Sequence, residues 1–321
     1  MADETFLVTG ALGCIGAWTL HHLVKNGQRA VSFDLHAGGH RLDLLLSEEE
    51  QKAITFVQGD LSDPKRVLSA FHDHHITHVI HLAALQVPFC RANPILGSQV
   101  NVVGTVNVFE AARQIGVKHI AYASSIAVYG PPDEYPPGLI AHDAPFAPRT
   151  LYGVYKVANE GTAKIYWQDH QISSVALRPY TVYGVARDQG LTSDPTKAML
   201  AVAAGKPFHI NFAGRMQFQL ASDVARQFID SATTPGEGAF VFNMGTEPME
   251  VRDVAAMINA HNPDVAITVE ETILPFPEGF DDSAMKGYFD TVYQTPLEDG
   301  IAQTVEFFRT ALAEGRMVYD A

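Results

Sequence analysis

A short apolar run, Thr5–Val8, leads straight into Thr9-Gly10-Ala11-Leu12-Gly13-Cys14-Ile15-Gly16, and a segment of helical length follows to Lys25. This junction constrains the chain more than any other feature. Glycines between a strand and a helix let the backbone turn tightly and approach a bound group closely, and the helix start presents N–H groups suited to an anion. A strand–glycine–helix opening therefore predicts a parallel α/β sheet with a phosphate-bearing ligand at its first turn.

The next stretches fit that frame. Thr5–Val8, Ala30–Phe33, Thr55–Val57, Val79–Leu82, Ile120–Ala123 and Val175–Leu177 are short, rich in β-branched and aromatic residues, and lack an apolar/polar alternation. Strands buried on both faces of a parallel sheet read this way. Between them lie helical segments at Ile15–Lys25, Pro64–His74, Pro94–Ile115 and Leu151–Asp169. The alternation predicts a doubly wound Rossmann sheet with right-handed crossovers. After Leu177 the chain is broken by Pro179, Gly184, Gly190, Pro195, Gly205, Pro207 and Gly214. The expected division is a dinucleotide-binding domain of residues 1–177 and 221–246, and a smaller substrate-binding domain of residues 178–220 and 247–321. A last helix over 296–313 carries Ile301, Val305, Phe308 and Leu312 on one face.

Composition narrows the partners. A formal charge of −14 disfavours nucleic acid and anionic membrane surfaces, both of which ask for a basic face. Only two cysteines occur, Cys14 and Cys90, too few for a disulfide framework and better explained as small buried side chains. No secretory leader and no bilayer-length apolar run is legible, so a cytoplasmic protein is expected. The histidine-rich piece His72-Asp73-His74-His75, with His78 nearby, sits at a helix end leading into a strand, and a dipole contact explains it without a metal.

Asp34 ends the second strand, about 20 residues past the glycines, where a carboxylate accepts hydrogen bonds from ribose hydroxyls and repels a 2′-phosphate. That favours NAD over NADP, with Arg41 as the residue that could work against it. Tyr152 and Lys156 form an i, i+4 pair on one helix face. A phenol is a poor base near neutral pH, and a neighbouring ammonium together with the positive nicotinamide ring favours its deprotonation. The pair is thus placed to take a hydroxyl proton as hydride leaves carbon. Ser124 and Ser125 follow the fifth strand at its carboxyl end, where ligands of open α/β sheets bind, and one of the two hydroxyls is expected to hold the substrate oxygen.

At this point the chain resembles the extended short-chain dehydrogenase/reductases, also called NAD-dependent epimerase/dehydratases. The resemblance runs through Thr9–Gly16, Gly59-Asp60-Leu61, His81-Leu82-Ala83-Ala84, Asn101 with Gly104 and Thr105, Ser124–Gly130, Tyr152/Lys156 and Arg178–Gly184. It implies cofactor contacts from Gly10, Leu12, Gly13, Cys14, Ile15 and Gly16, and from Asp34. It places Asp60 and Leu61 at the adenine and Ala83 toward the nicotinamide side, with Leu82 and Ala84 beside it in the cofactor set. Asn101, Ser124, Tyr152, Lys156 and Pro179 complete the implied cofactor set, with Ser125 as the catalytic hydroxyl. A homodimer through a four-helix bundle is implied as well, built on the apolar faces of Pro94–Ile115 and Leu151–Asp169.

Departures from the family pattern narrow the chemistry. Dehydratases carry an Asp-Glu pair just after the catalytic hydroxyl residue; here Ile126 and Ala127 stand there and cannot move protons. Thr181 replaces the asparagine usual in nucleotide-sugar members, and Gln217 falls where an acid or a diphosphate-clamping arginine is expected, with Arg215 close by. A neutral amide does not reproduce the charge-assisted pairing of arginine with phosphate. The expected activity is oxidation of a secondary hydroxyl of a small sugar, polyol or hydroxy acid, with substrate contacts from Gln86, Ser125, Thr181, Thr192 and Ser193, and Asp194 beside them. The competing reading is an epimerase with tightly bound NAD using the same residues. A redox sensor without turnover is disfavoured because Ser125, Tyr152 and Lys156 are all present.

Overall fold

The computed structural model describes residues 4–319; positions 1–3 and 320–321, the outer ends of the two expected domain segments, lie outside the described residues. The first half delivers strands β1 (Thr5–Thr9), β2 (Arg29–Asp34), β3 (Ile54–Gln58), β4 (His78–His81), β5 (His119–Ala123) and β6 (Ser173–Arg178). The chain then runs through β7 (Thr181–Tyr183), β8 (Phe208–Ile210) and β9 (Arg215–Leu220), returns as β10 (Ala239–Asn243), and leaves again as β11 (Pro248–Glu250) and β12 (Ile267–Val269). Seven strands form one sheet in the order β10-β6-β5-β4-β1-β2-β3, every neighbouring pair parallel. The order reverses between β1 and β4, which opens a crevice at their carboxyl ends, the place where such sheets bind ligands.

Side chains of successive residues enter opposite cores. Phe6 and Val8 join Ile80, Ala121, Val175 and Leu177 on one face. Leu7 joins Val31, Phe33, Val79, Ile120, Tyr122 and Ala176 on the other. With both faces covered, the strands need apolar residues at every position, which is why they show no alternation. A three-stranded sheet, β11-β9-β7, and the pair β12-β8 build the remainder. The last helix, Leu297–Ala313, buries Ile301, Val305 and Phe308 as its spacing predicts.

The expected single helix over 94–115 is instead three pieces. Pro94–Ser98 is α-helical, Gln99–Val103 forms a π turn, and Gly104–Ile115 resumes the α-helix. The Asn101 amide is drawn into bonds with the backbone of Leu85, and Gly104 presses on Leu61, where an added Cβ would lie 2.9 Å from Leu61 Cβ. A π turn is a common way to aim one side chain out of helical register. A further short helix, Val87–Ala92, occupies a stretch that reads as loop from sequence. No described helix is long and apolar enough to cross a membrane.

Candidate active site

The glycine loop is held by its own backbone. Gly10 has φ of 64°, and a Cβ there would sit 2.6 Å from Ala83 N and Cα, so only glycine lets β1 pass this close to the strand-end loop of β4. A Cβ on Gly16 would lie 2.7 Å from Ala11 Cα, which makes the helix start pack directly on the loop. Helix Cys14–Lys25 has Gly13 as its N-cap and no side chain capping it. Its first-turn N–H groups are thus left to an external acceptor, and the donor set fits a diphosphate. Asp34 accepts from Leu12 N at 3.0 Å and from Leu35 N at 2.8 Å, one bond per carboxylate oxygen, each oxygen keeping a lone pair for a ribose hydroxyl. Arg41 does not stand loose beside it: its Nη1 donates to Leu12 O at 3.1 Å and its Nε to Asp188 at 2.8 Å.

The crevice wall at β4 is braced by a buried polar chain. Thr9 Oγ1 pairs with His81 Nδ1 at 2.7 Å, His81 Nε2 with Thr105 Oγ1 at 3.0 Å, and Thr105 donates to Asn101 O at 2.8 Å. Burial, with the Lys156 charge adding to it, pushes His81 down to about 3, so the ring is neutral. Asn101 spends both ends of its amide on Leu85, accepting from Leu85 N at 2.7 Å and donating to Leu85 O at 2.9 Å. It therefore shapes the Leu82-Ala83-Ala84 loop rather than offering that amide to a ligand. Asp60 and Leu61 follow β3; Asp60 is exposed and Leu61 is buried under Gly104.

Ser125, Tyr152 and Lys156 come together at the carboxyl end of β5. Thr150 caps helix Leu151–His170 by accepting from Gly153 N at 3.1 Å. Gly153 sets the approach: a Cβ there would fall 2.1 Å from Ala127 O, so the helix packs against the turn Ile126–Val128 only because residue 153 has no side chain. That contact brings Tyr152 close enough to Ser125, whose hydroxyl accepts from Ala127 N at 3.2 Å, for the serine to act on the phenol. Burial raises Tyr152 above its ordinary value, opposed by the Ser125 hydrogen bond and the Arg187 charge, with Cys90 acting against them. Lys156 lies over the Tyr152 ring, Nζ 5.5 Å from its centroid, and donates to Ala123 O at 2.6 Å. Burial pushes Lys156 down to about 8, against the pull of Cys90 and Glu160. The sequence puts the ammonium beside the phenol as the group that eases its deprotonation; in the structure burial is the largest influence on the phenol and raises it.

The two serines divide their work. Ser124 is buried and donates to Glu160 Oε1 at 2.5 Å, while Arg178 grips the same carboxylate through Nε at 2.8 Å and Nη2 at 2.6 Å. The Ser124 hydroxyl thus belongs to a buried ion-pair network one helical turn beyond Lys156. Pro179 is partly buried and accepts from Ile126 N at 3.4 Å. Cys14 is held up at about 11, chiefly by burial, and stays a thiol.

On the substrate side the expectations are partly corrected. Gln86 lines a cavity of about 470 Å³ with Pro88, Phe89, Gly190, Leu191 and Lys197. Thr181, the first residue of β7, is fully buried against β9, its hydroxyl on the Met216 sulfur at 3.3 Å, so it is not presented to a substrate. Ser193 is also buried and closes its own turn, donating to Gly190 O at 2.9 Å, and Thr192 is buried beside it; neither lines the cavity. Asp194 binds Asn211 through its backbone N at 3.0 Å and side-chain Nδ2 at 2.9 Å. Gln217 is entirely consumed inside: it donates to Thr246 O at 2.6 Å and Phe280 O at 3.1 Å and accepts from Phe280 N at 2.9 Å. Sequence reading passed over the loop Arg187–Gly190 and Lys197, although two consecutive charges, Arg187 and Asp188, break an otherwise apolar strand exit.

A dinucleotide-type glycine loop and a serine–tyrosine–lysine cluster at one end of a parallel sheet define a nucleotide-dependent α/β enzyme. The chain belongs to the NAD dependent epimerase/dehydratase family, whose model matches residues 6–245. It is 31% identical over 317 residues to a UDP-glucose 4-epimerase of Mycolicibacterium smegmatis, covering 94% of this chain and 98% of that protein. Among solved structures it is similar to a UDP-glucose 4-epimerase of Thermus thermophilus in complex with NAD, with 28% identity, TM-score 0.79, and coverage of 96% and 100%. The fold is also that of an L-threonine dehydrogenase from Clostridium difficile, with TM-score 0.85 at 20% identity over 97% and 99% of the chains. The protein is accordingly an NAD-dependent enzyme acting on a CH–OH group.

Proposed function

We propose that the protein oxidises a secondary hydroxyl of a small sugar, polyol or hydroxy acid, with Tyr152 as general base. The observation that carries this reading is Gln217: where the family's nucleotide-sugar members have an acid or a diphosphate-clamping arginine, this chain has a neutral amide with its bonds spent on Thr246 and Phe280. Arg215, at the outer end of β9, is exposed and turned to Pro248 O at 3.2 Å.

In the proposed mechanism the first-turn N–H groups after Gly13 would hold a diphosphate, Asp34 would accept hydrogen bonds from ribose hydroxyls, and the loop Leu82–Ala84 would flank the nicotinamide half. NAD, when bound, supplies the hydride acceptor and a positive ring charge. The Ser125 hydroxyl orients the substrate oxygen, Tyr152 takes its proton, and Lys156 stabilises the phenolate through its charge. Ile126 and Ala127 leave no acid–base pair for removing water. The dinucleotide-binding unit is taken as residues 1–177 with 221–246, and the substrate-binding unit as 178–220 with 247–321. A homodimer is proposed through the helices on which Leu96, Val103, Leu151, Val154 and Ile165 stand exposed; sedimentation of the purified chain tests it.

The full-length likeness to a UDP-glucose 4-epimerase favours a second reading, epimerisation with retained NAD. Net NADH formation with a panel of sugars, polyols, aldonates, uronates and nucleotide sugars separates them. Steady NADH release with a small hydroxylated compound supports the dehydrogenase. A converted nucleotide-sugar isomer with no net NADH supports the epimerase and overturns the reading of Gln217.

A further inference from the structure

Arg187, whose charge acts on both Cys14 of the glycine loop and Tyr152, has no counter-ion among the described residues. It leaves β7 on a turn in which Ala186, buried, takes φ of 72°, a left-handed conformation uncommon for a residue with a side chain. The segment is fastened at several points. Gly184 N donates to Thr196 Oγ1 at 3.1 Å, and Trp18 Nε1 donates to Val185 O at 2.9 Å. Asp188 takes Arg41 Nε at 2.8 Å and His40 Nε2 at 2.7 Å, while Arg41 reaches on to Leu12 O in the glycine loop.

These bonds consume the one carboxylate adjacent to Arg187. The Arg187 Nε is buried and has no hydrogen-bond partner, and among the described residues nothing takes its guanidinium. A Cβ on Gly190 would meet Arg187 Nη2 at 2.7 Å and Gln86 Oε1 at 2.9 Å, so guanidinium and amide converge on a point that glycine keeps open. The Arg187 charge acts on both the Cys14 thiol of the glycine loop and the Tyr152 phenol, lowering each. A guanidinium does not escape burial by losing its proton, and its planar fork matches carboxylate and phosphate oxygens.

We propose that Arg187 is an oxyanion-binding residue of this cleft, taking a phosphate or carboxylate group that lies between the glycine loop and Tyr152, and that Asp188 is the positioning residue that holds its loop there. The inference rests on the cleft assigned above as the reaction site, but not on which reaction runs in it. The anionic oxygens come either from the cofactor's diphosphate or from a carboxylate on the substrate close to its reacting carbon.

Calorimetric titration of the full chain, freed of nucleotide, distinguishes the sources. Wild type, Arg187→Gln and Arg187→Lys are titrated with NAD, ADP-ribose and adenosine, and in the presence of NADH with gluconate and with glucitol, which lacks the carboxylate. Loss of one or two charge-assisted bonds predicts binding weaker by roughly 10- to 100-fold in Arg187→Gln. NAD and ADP-ribose weakening together, with adenosine spared, identifies the diphosphate. Gluconate weakening, with glucitol spared, identifies a substrate carboxylate. Arg187→Lys keeps the charge but not the fork and falls between; it also serves if the glutamine variant does not fold. Asp188→Asn shifts the same ligand in the same direction by a smaller factor. Binding of every anionic probe within about twofold of wild type in Arg187→Gln overturns the proposal. Because the readout is binding, a wrong assignment of the reaction leaves this result unchanged and shows itself only in the turnover panel.

Discussion

Replacing Lys156 by methionine in the nucleotide-free protein measures what it costs to bury the charge on which the proposed proton transfer depends. Lys156 is 3% exposed, and burial lowers its pKa from 10.5 to about 8. The folded value lies below the unfolded one, so between them the unfolded chain holds a proton that the folded protein has released. Stability then rises with pH across that window, by at most about 1.4 kcal/mol per pH unit. Over a gap of roughly 2.5 units the wild type gains about 3 kcal/mol, with the penalty present in full below about pH 8 and absent above about pH 10.5. Methionine does not titrate, so the difference between the two proteins isolates this one group. At neutral pH the variant sheds the penalty but loses the bond to Ala123 O, worth about 1.5–3 kcal/mol, and the two stabilities should agree within about 2 kcal/mol. Urea unfolding at about pH 7 and at about pH 10 should therefore show wild type gaining about 2.5 kcal/mol on Lys156→Met. Parallel curves at the two pH values would refute the reasoning, because they would mean that the ammonium is solvated in the folded protein.

Tyr152→Phe should bind NAD as wild type does and lose turnover by ~10²–10⁴-fold in steady-state assays; near-normal turnover removes Tyr152 from the proposed mechanism. Gly153→Ala places a methyl 2.1 Å from Ala127 O and 2.9 Å from Pro148 Cβ. It should cost about 1–3 kcal/mol in denaturant unfolding and depress kcat through the Ser125–Tyr152 contact while NAD affinity holds. An unchanged kcat would mean that the helix does not set that contact. Gln217→Leu leaves the Phe280 N–H and the Thr246 and Phe280 carbonyls without this partner, and should destabilise the chain by about 2–4 kcal/mol, since unsatisfied buried groups cost about 1–3 kcal/mol each. A thermal midpoint equal to wild type would show that Gln217 is not the structural residue its bonds describe.

The sheet was legible because its signals are local. Each strand is a short apolar run between helices, and Gly10, Gly13 and Gly16 mark a turn that close backbone approach imposes. Tyr152, Lys156 and Ser125 were legible because a four-residue helical spacing and a strand end suffice to place them. What escaped sequence reading depends on partners far away along the chain. The break in the 94–115 helix follows from Asn101 bonding Leu85. Ser124 reads like Ser125 until Glu160, 36 residues on, takes its hydroxyl. Thr181 and Ser193 look like loop hydroxyls facing a substrate, yet β9 covers the first and the Gly190 turn closes over the second. Asp188 and Arg41, 147 residues apart, give no sign in the sequence that they meet.

Those long-range contacts bear on the choice between oxidation and epimerisation, which Ser125, Tyr152 and Lys156 serve equally. Epimerisation asks that a ketone turn over inside the site without escaping, and a nucleotide held some distance from the reacting carbon is one way to tether it. A tether needs cationic groups well away from the phenol. In this chain the amide at Gln217 is spent on the backbone of β9's neighbours, and Arg215 faces outward. Closer in, Arg187 meets Gln86 at the Gly190 contact and its charge acts on Tyr152, while Lys197 lines the Gln86 cavity and lies 3.9 Å from Asp194. A cleft with Arg187 acting at its reacting end and no cation at position 217 suits a compact substrate better than one read at the far end of a nucleotide. That asymmetry, more than the catalytic residues, is the reason to place the oxidation of a small hydroxylated compound ahead of epimerisation.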